Sequence, residues 1–223
     1  MISGDFDIIT FDCYGTLIDW ESGIVNAFQL EAAKDGMTLD AGRIIEAYSA
    51  EEPAVESGAY RPYREVLAET ARRVGSRAGW DISLERAEFL AESLPQWSPF
   101  PDTNPALKRL ARRFQLGILS NIDDDLLSRS RLRFEVQFDL IVTAQQVKSY
   151  KPRLAHFKQA LARASGKRLL HVAQSYFHDV VPASTLGIPV VWVNRKGERS
   201  QSGGPSAACE VRNLTELADL LGV

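Results

Sequence analysis

The chain has 223 residues, 45% of them apolar, with 26 Lys and Arg against 29 Asp and Glu and a formal net charge of −3. That is the balance of an ordinary globular protein, long enough to bury a sizeable core without staples, and no stretch concentrates Lys and Arg as a nucleic-acid-binding face would. No apolar run approaches the about 18 residues of a membrane span, Met1 to Asp5 lacks the pattern that opens a signal peptide, and two distant cysteines, Cys13 and Cys209, fit a reducing compartment; the expectation is a cytoplasmic protein with no nucleic-acid or membrane partner.

In chain order, the first element is Phe6 to Phe11, a short, apolar, β-branched run that ends at Asp12 ahead of Gly15. It reads as a buried strand entering a turn. From about Trp20 to Trp97 no strand pattern appears. The spacing there predicts amphipathic helices at Glu21 to Asp35, Asp40 to Ser49, Pro62 to Val74 and Ser83 to Ser93, with turns at Lys34-Asp35-Gly36 and Ser57-Gly58. The chain returns near Pro99 to Pro101. Helical patterns at Asn104 to Arg113, Leu154 to Ala164 and Val181 to Leu186 then alternate with strand-like runs at Gln115 to Leu119, Phe138 to Val142, Leu169 to Ala173 and Pro189 to Val193. Gly197 to Pro205 reads as a mobile polar loop. Asn213 is placed to cap a last helix, Thr215 to Leu221.

Strands alternating with helices imply an α/β fold with a doubly wound parallel sheet. Residues 1–19 and 98–223 form the core of this reading, and 20–97 an inserted helical domain. Ligands of such sheets sit beyond the carboxyl ends of the strands. The polar residues found there are Asp12, Tyr14 and Thr16, then Ser120 and Asn121, then Lys151, then Ser175, His178 and Asp179. Each alone has a plain structural explanation. Asp12 could stabilise a turn, Ser120-Asn121 or Asp179 could cap a helix, Lys151 could be a solvated loop residue, and His178 could be a packed histidine. Their joint placement at successive strand ends argues for a site.

These residues carry a resemblance. Asp12-Cys13-Tyr14-Gly15-Thr16-Leu17 resembles the first motif of the haloacid-dehalogenase superfamily. Leu119-Ser120-Asn121 resembles the second, Tyr150-Lys151-Pro152 the third and His178-Asp179 the fourth. The form of the first motif is similar to that of the (S)-2-haloacid dehalogenase branch. The resemblance implies a Rossmann-like core with a helical cap, and a hydrolase that uses Asp12 as nucleophile with Thr16, Ser120, Lys151 and Asp179 beside it. It implies Tyr14, Asn121, Ser175 and His178 around the substrate, a short halogenated carboxylic acid, with a homodimer as a family-based expectation. Superfamily phosphatases carry a second Asp two residues after the nucleophile, and an Asp as metal ligand four residues before the last acid. Here those positions are Tyr14 and Ser175. The expectation is chemistry with no metal and no cofactor.

Other departures touch the substrate. The branch carries an Arg on the second stretch of its cap to receive the halide, where this chain has Ser49 or Glu51. It has a Tyr where this chain has Phe157, and a Ser-Ser-Asn where this chain reads Gln174-Ser175-Tyr176. Arg61, between Tyr60 and Tyr63, is the candidate substitute cation, although Arg61-Pro62 also suits a plain helix start. A metal-dependent phosphatase of the same fold and a binding protein without turnover are the competing expectations.

Overall fold

Six short strands organise the first of two units in the computed structural model, which describes residues 5–199 and 204–223. They are β1 (Ile8–Phe11), β2 (Gln115–Ser120), β3 (Leu140–Thr143), β4 (Leu169–Ala173), β5 (Val190–Val193) and β6 (Cys209–Val211). All pair in parallel, in the order β3-β2-β1-β4-β5-β6. The inner strands are buried along nearly their whole length, which is why they read as continuous apolar runs rather than alternating ones. β1 lies at the centre, with Ile9 opposite Leu116 and Leu170, and Phe11 opposite Ile118 and Val172. Helix Ala155–Ala164 buries Phe157, Ala160 and Ala164 in the core with Ile8, Val142 and Leu169. At Gly117 a side chain would meet the Leu140 carbonyl at 2.8 Å and the Thr10 methyl at 3.1 Å, so this crossing of β2 with its neighbours needs glycine.

The expected strands and helices of this unit are present, with small differences at their ends. β6 is an addition. It is three residues long with Glu210 at its middle, too short and too polar to show as an apolar run, and it exists by pairing at the sheet edge with β5. Asn213 does cap the last helix, Leu214–Leu220, accepting from the Glu216 N–H at 2.9 Å. The expectations for Met1 to Gly4 and for residues 200–203 of the polar loop lie outside the described residues.

The second unit comprises Asp19–Ser98 with Ile122–Leu132; the first comprises the rest of the chain. The second is helical: Trp20–Ala33, Ala41–Glu56, Tyr63–Arg77, Leu84–Ala87, Phe89–Ser93 and Asp124–Ser130. Asp19, Asp40 and Ser83 each accept a backbone N–H of the helix that follows. Phe28 packs edge-on against Phe89 and Trp80, at 5.2 and 6.4 Å between centroids. The second helix runs past Ser49 and through Pro53 to Glu56, with Val55 buried on its last turn. Asp123 explains why 122–132 belongs here. Its two carboxylate oxygens accept the N–H groups of Tyr63 and Arg64 at 3.0 and 2.9 Å. It thereby caps a helix whose preceding Pro62 makes no side-chain cap bond. Among the described residues no helix is long and apolar enough to cross a membrane.

Candidate active site

The site grows from the end of β1. The Asp12 N–H still bonds the Val172 carbonyl at 3.0 Å, so Asp12 is held as if the strand continued. The chain then turns sharply. Leu17 and Ile18 both donate to the Cys13 carbonyl, and Gly15 takes a φ of +98°, which favours glycine. This loop brings Thr16 back to Asp12: its hydroxyl donates to Oδ2 at 2.9 Å while accepting the Gln174 N–H at 2.9 Å. Arg195 fixes the loop from behind. Its guanidinium lies 4.0 Å above the Phe100 ring, grips both Asp102 oxygens and donates to the Thr16 carbonyl at 2.9 Å.

Lys151 occupies the centre. It is 2% exposed, and its ammonium makes three bonds: to Asp12 Oδ1 at 2.8 Å, Asp179 Oδ1 at 2.7 Å and the Leu119 carbonyl at 2.9 Å. Those three acceptors match its three donors. Asn121 sets the backbone there, its side chain accepting the Lys151 N–H at 2.7 Å and donating to the Lys151 carbonyl at 3.1 Å. Asp179 is fully buried in the π-helical turn Tyr176–Val180 and takes a further bond from His171 Nε2 at 3.0 Å.

One ammonium between two buried carboxylates divides their behaviour. Burial raises the Asp12 carboxyl above its ordinary range; Lys151 opposes this and the neighbouring Asp179 adds to it. Burial acts the same way on Asp179, but Lys151 and the His171 bond outweigh it and hold that carboxyl well below the usual range. Burial alone would lower Lys151, and the two carboxylates more than reverse it. Burial, with Asp12 beside it, pushes the Cys13 thiol well up, so this buried cysteine stays protonated.

His156 shows the same physics with too little carboxylate help to offset it, Asp179 raising it only weakly. It is fully buried, one ring nitrogen meets the Ser120 carbonyl at 3.2 Å, and Nδ1 has no partner among the described residues. Burial, then the Lys151 charge, push its pKa down to about 3. Its folded value therefore lies below its unfolded one. Between about pH 6.5 and 3 the unfolded chain binds the extra proton, and this contribution to stability is lost as pH falls, by up to about 1.4 kcal/mol per pH unit. Urea unfolding from pH 7 to 4 should show His156→Gln losing less stability than the parent. Parallel curves would show that His156 is not the group responsible.

The structure brings Asp12, Thr16, Lys151 and Asp179 into one bonded cluster, with Asn121 supporting Lys151. Ser120 is buried at the end of β2, and its carbonyl meets His156 rather than the cluster. Ser175 and His178 pair with each other, Oγ to Nδ1 at 3.0 Å, and Ser175 also accepts the His178 N–H and opens the π-helical turn. Tyr14 lies in the Cys13–Ile18 loop, bridged to Ile18. In the helical unit Arg61 donates to the Val55 carbonyl at 3.5 Å. Glu51 there pairs with Arg73 and Arg77, and Glu52 accepts the hydroxyls of Tyr48 and Tyr63 at 2.6 and 2.5 Å. Sequence reasoning passed over Thr10, His171, Asp102 and Arg195. For His171 a signal existed: it is the one polar residue in the run Leu169 to Ala173.

The donor set does not suit a divalent cation. Lys151 fills the space between the two carboxylates, Tyr14 and Ser175 stand where further acids would be needed, and among the described residues no group of three or more His, Cys, Asp or Glu is placed to hold a metal.

An acid at the tip of the central strand, a lysine bonded to it and a second acid behind that lysine are thus carried on a doubly wound parallel sheet. The chain belongs to the haloacid dehalogenase-like hydrolases, whose family model matches residues 6–173. Among particular relatives, it is 31% identical to the (S)-2-haloacid dehalogenase H-109 of Pseudomonas putida, over 96% of each chain. A second (S)-2-haloacid dehalogenase from Pseudomonas putida is 27% identical, over 96% of this chain and 95% of the relative. The fold matches that of the L-2-haloacid dehalogenase from Xanthobacter autotrophicus solved with chloropropionic acid covalently bound, with a TM-score of 0.84, 18% identity, and 97% and 98% of the two chains covered.

Proposed function

We propose that the protein is a metal-independent 2-haloacid dehalogenase that works through an ester on Asp12. The observation that carries this reading is the Lys151 ammonium bonded at once to Asp12 and Asp179, at 2.8 and 2.7 Å. Lys151 opposes the burial that raises the Asp12 carboxyl and so helps keep it ionised, and Tyr14 and Ser175, rather than acids, stand where a metal-dependent relative of this fold would need further ligands. An Asp12 carboxylate oxygen attacks the halogen-bearing carbon, the carbon–halogen bond breaks, and the halide leaves with the electron pair and needs no proton. Water, positioned by Asp179, then adds to the Asp12 ester carbonyl. The acyl–oxygen bond breaks, the 2-hydroxy acid departs, and one halide and one proton are released per turnover. Thr16 and Lys151 hold the two Asp12 oxygens throughout. The (S)-2-haloacid dehalogenases among the relatives support the substrate class.

The test is halide release from short 2-haloacids with and without EDTA, followed by one turnover in ¹⁸O water. Release should be unchanged by EDTA, and mass spectrometry should find the label in the peptide containing Asp12. Hydrolysis of a phosphate ester that requires Mg²⁺, without halide release, would replace this reading with the phosphatase.

The departing halide needs a donor or a positive charge, because an unpaired desolvated anion is costly. Arg61 is the cation proposed for it. Arg72 and Arg73 serve as controls on the same unit, since both are engaged by Glu69. Arg61→Ala should lower kcat by about 10²-fold, the usual cost of removing one donor to a developing charge. Arg72→Ala and Arg73→Ala should change it little. Equal small effects at all three positions would remove Arg61 from the reaction.

A further inference from the structure

His171 sits at the middle of β4, fully buried, in register with Thr10 of β1. A polar ring inside a central strand is costly unless each polar atom finds a partner, and an apolar residue would serve the sheet better. Here both nitrogens are engaged. Nε2 lies 3.0 Å from Asp179 Oδ1, and Nδ1 lies 3.0 Å from the Thr10 hydroxyl, which is also 3.3 Å from the Leu170 carbonyl. Since an ionised carboxylate only accepts, Nε2 carries the proton shared with Asp179. Phe157 meets the ring edge-on at 5.2 Å and fixes its plane. Gly117 leaves the room that the Thr10 methyl occupies. The result is an unbroken chain of bonds, Thr10–His171–Asp179–Lys151–Asp12, running from inside the sheet to the residue assigned as nucleophile.

The Asp179 oxygen that accepts from His171 is the one that accepts from Lys151. We propose that His171 is a positioning residue: by bonding that oxygen it fixes Asp179, so that the Lys151 ammonium is shared with Asp12 rather than drawn away from it. This rests on the reading of Asp12 as nucleophile. Without the Nε2 donor, Asp179 turns its full charge toward Lys151. Asp12 then keeps less of the ammonium beside a less compensated carboxylate, and its ionised form becomes harder to maintain. The charged and titratable groups around the ring are Asp179 on the π-helical turn, Lys151 on the segment that leads into helix Ala155–Ala164, His156 in the first turn of that helix, and Asp12 at the end of β1. His156 stays neutral near pH 7, with its pKa near 3.

His171→Phe keeps an aromatic ring against Phe157 and removes both nitrogens. His171→Gln keeps an N–H that can reach Asp179. Two readouts apply. The first is carboxyl ¹³C NMR titration of Asp12 and Asp179 without substrate. The second is the pH profile of kcat for halide release. In His171→Phe the Asp12 titration and the acid limb of kcat should both move up by about one pH unit or more. The plateau kcat should fall about tenfold or more with little change in KM, as for a displaced catalytic group. His171→Gln should recover most of both. An unchanged Asp12 titration in a folded Phe variant, or no recovery by Gln, would show that the ring only fills the core. If the Phe variant does not fold, ¹⁵N NMR of His171 in the parent protein decides: a proton on Nε2 is required, and one found only on Nδ1 overturns the proposal. The NMR readouts need no turnover, so a parent protein that releases no halide would defeat the dehalogenase reading and leave His171 to be judged separately.

Discussion

Asp12→Asn should release halide about 10⁴-fold more slowly than the parent, or not measurably, and should unfold at the same temperature or a higher one. The kinetic half follows from the chemistry: a neutral amide cannot displace halide from carbon, and losses of this size accompany removal of a covalent nucleophile. The stability half follows from the surroundings. Asp12 is buried against Lys151, Thr16 and a second carboxylate, and burial raises its carboxyl above the ordinary range. A group whose folded value exceeds its unfolded one opposes folding when ionised, at every pH above the folded value. Asn has the same shape, can still accept from Thr16, and leaves Lys151 to Asp179 alone. Calorimetry near pH 7.5 beside a halide assay separates the two effects. Substantial residual release would refute Asp12 as nucleophile, and a large fall in melting temperature would mean that its charge is an asset to the fold.

Why Asp12 was visible in the sequence and its supports were not is a matter of sequence distance. β1, β2, β4 and β5 are buried on both faces, so each shows as an apolar run, and a polar residue directly after such a run stands out. Asp12 and Ser120 were found that way, while Asp179, beyond the turn that follows β4, was marked by the His178-Asp179 motif. Lys151 was marked by its place in a motif, but only the fold turns it from a loop lysine into a 2% exposed centre with three acceptors. Arg195 reaches the Thr16 carbonyl from 179 positions along the chain. Asp123 caps a helix from 60 positions away. Neither bond has a local pattern. His171 was hidden for another reason, since its neighbours make the strand legible and the histidine inside it passes as one residue of the run. β6, with Glu210 at its middle, has no apolar pattern at all.

The boundary at Ile122–Leu132 has a similar origin. Ser120-Asn121 ends β2, and the following segment was expected to continue the core. Instead Asp123 spends both carboxylate oxygens on the Tyr63 and Arg64 N–H groups, which ties helix Asp124–Ser130 to the helical unit. A helix start with proline before it has free N–H groups and no side chain of its own to receive them. An acid from a distant segment meets that need, and composition alone does not say which acid.

Lys151→Met should be the most damaging single change to stability, should cost much of the activity as well, and should change the way stability depends on pH. Methionine nearly matches lysine in length but brings no charge and no N–H. It leaves Asp12 and Asp179 buried beside each other, and leaves the Leu119 carbonyl without the Nζ donor. Removing one partner of a buried ion pair costs about 3–5 kcal/mol, because the remaining charge is uncompensated. Halide release should fall about 10³-fold or more, since a carboxyl pushed toward its neutral form is no nucleophile and the oxygen that Lys151 held is loose. In the parent, Asp179 is held below its unfolded value, so its stabilisation is present above about pH 4 and fades as pH falls through the folded value. In the variant, two like charges in a desolvated site push at least one carboxyl well above its unfolded value. Between about pH 4 and that raised value the folded variant binds more protons than the unfolded chain, so its stability must rise as pH falls. Urea unfolding of the two proteins from pH 8 to 5 is the direct comparison. In the parent His156 weakens the fold toward acid while the raised Asp12 opposes that, so its stability should change less with pH than the variant's, which should strengthen toward acid. A variant that is uniformly weaker by the same amount at every pH would show that Lys151 contributes by packing alone, and that the charge of the Asp12–Lys151–Asp179 cluster is not what holds the nucleophile ready.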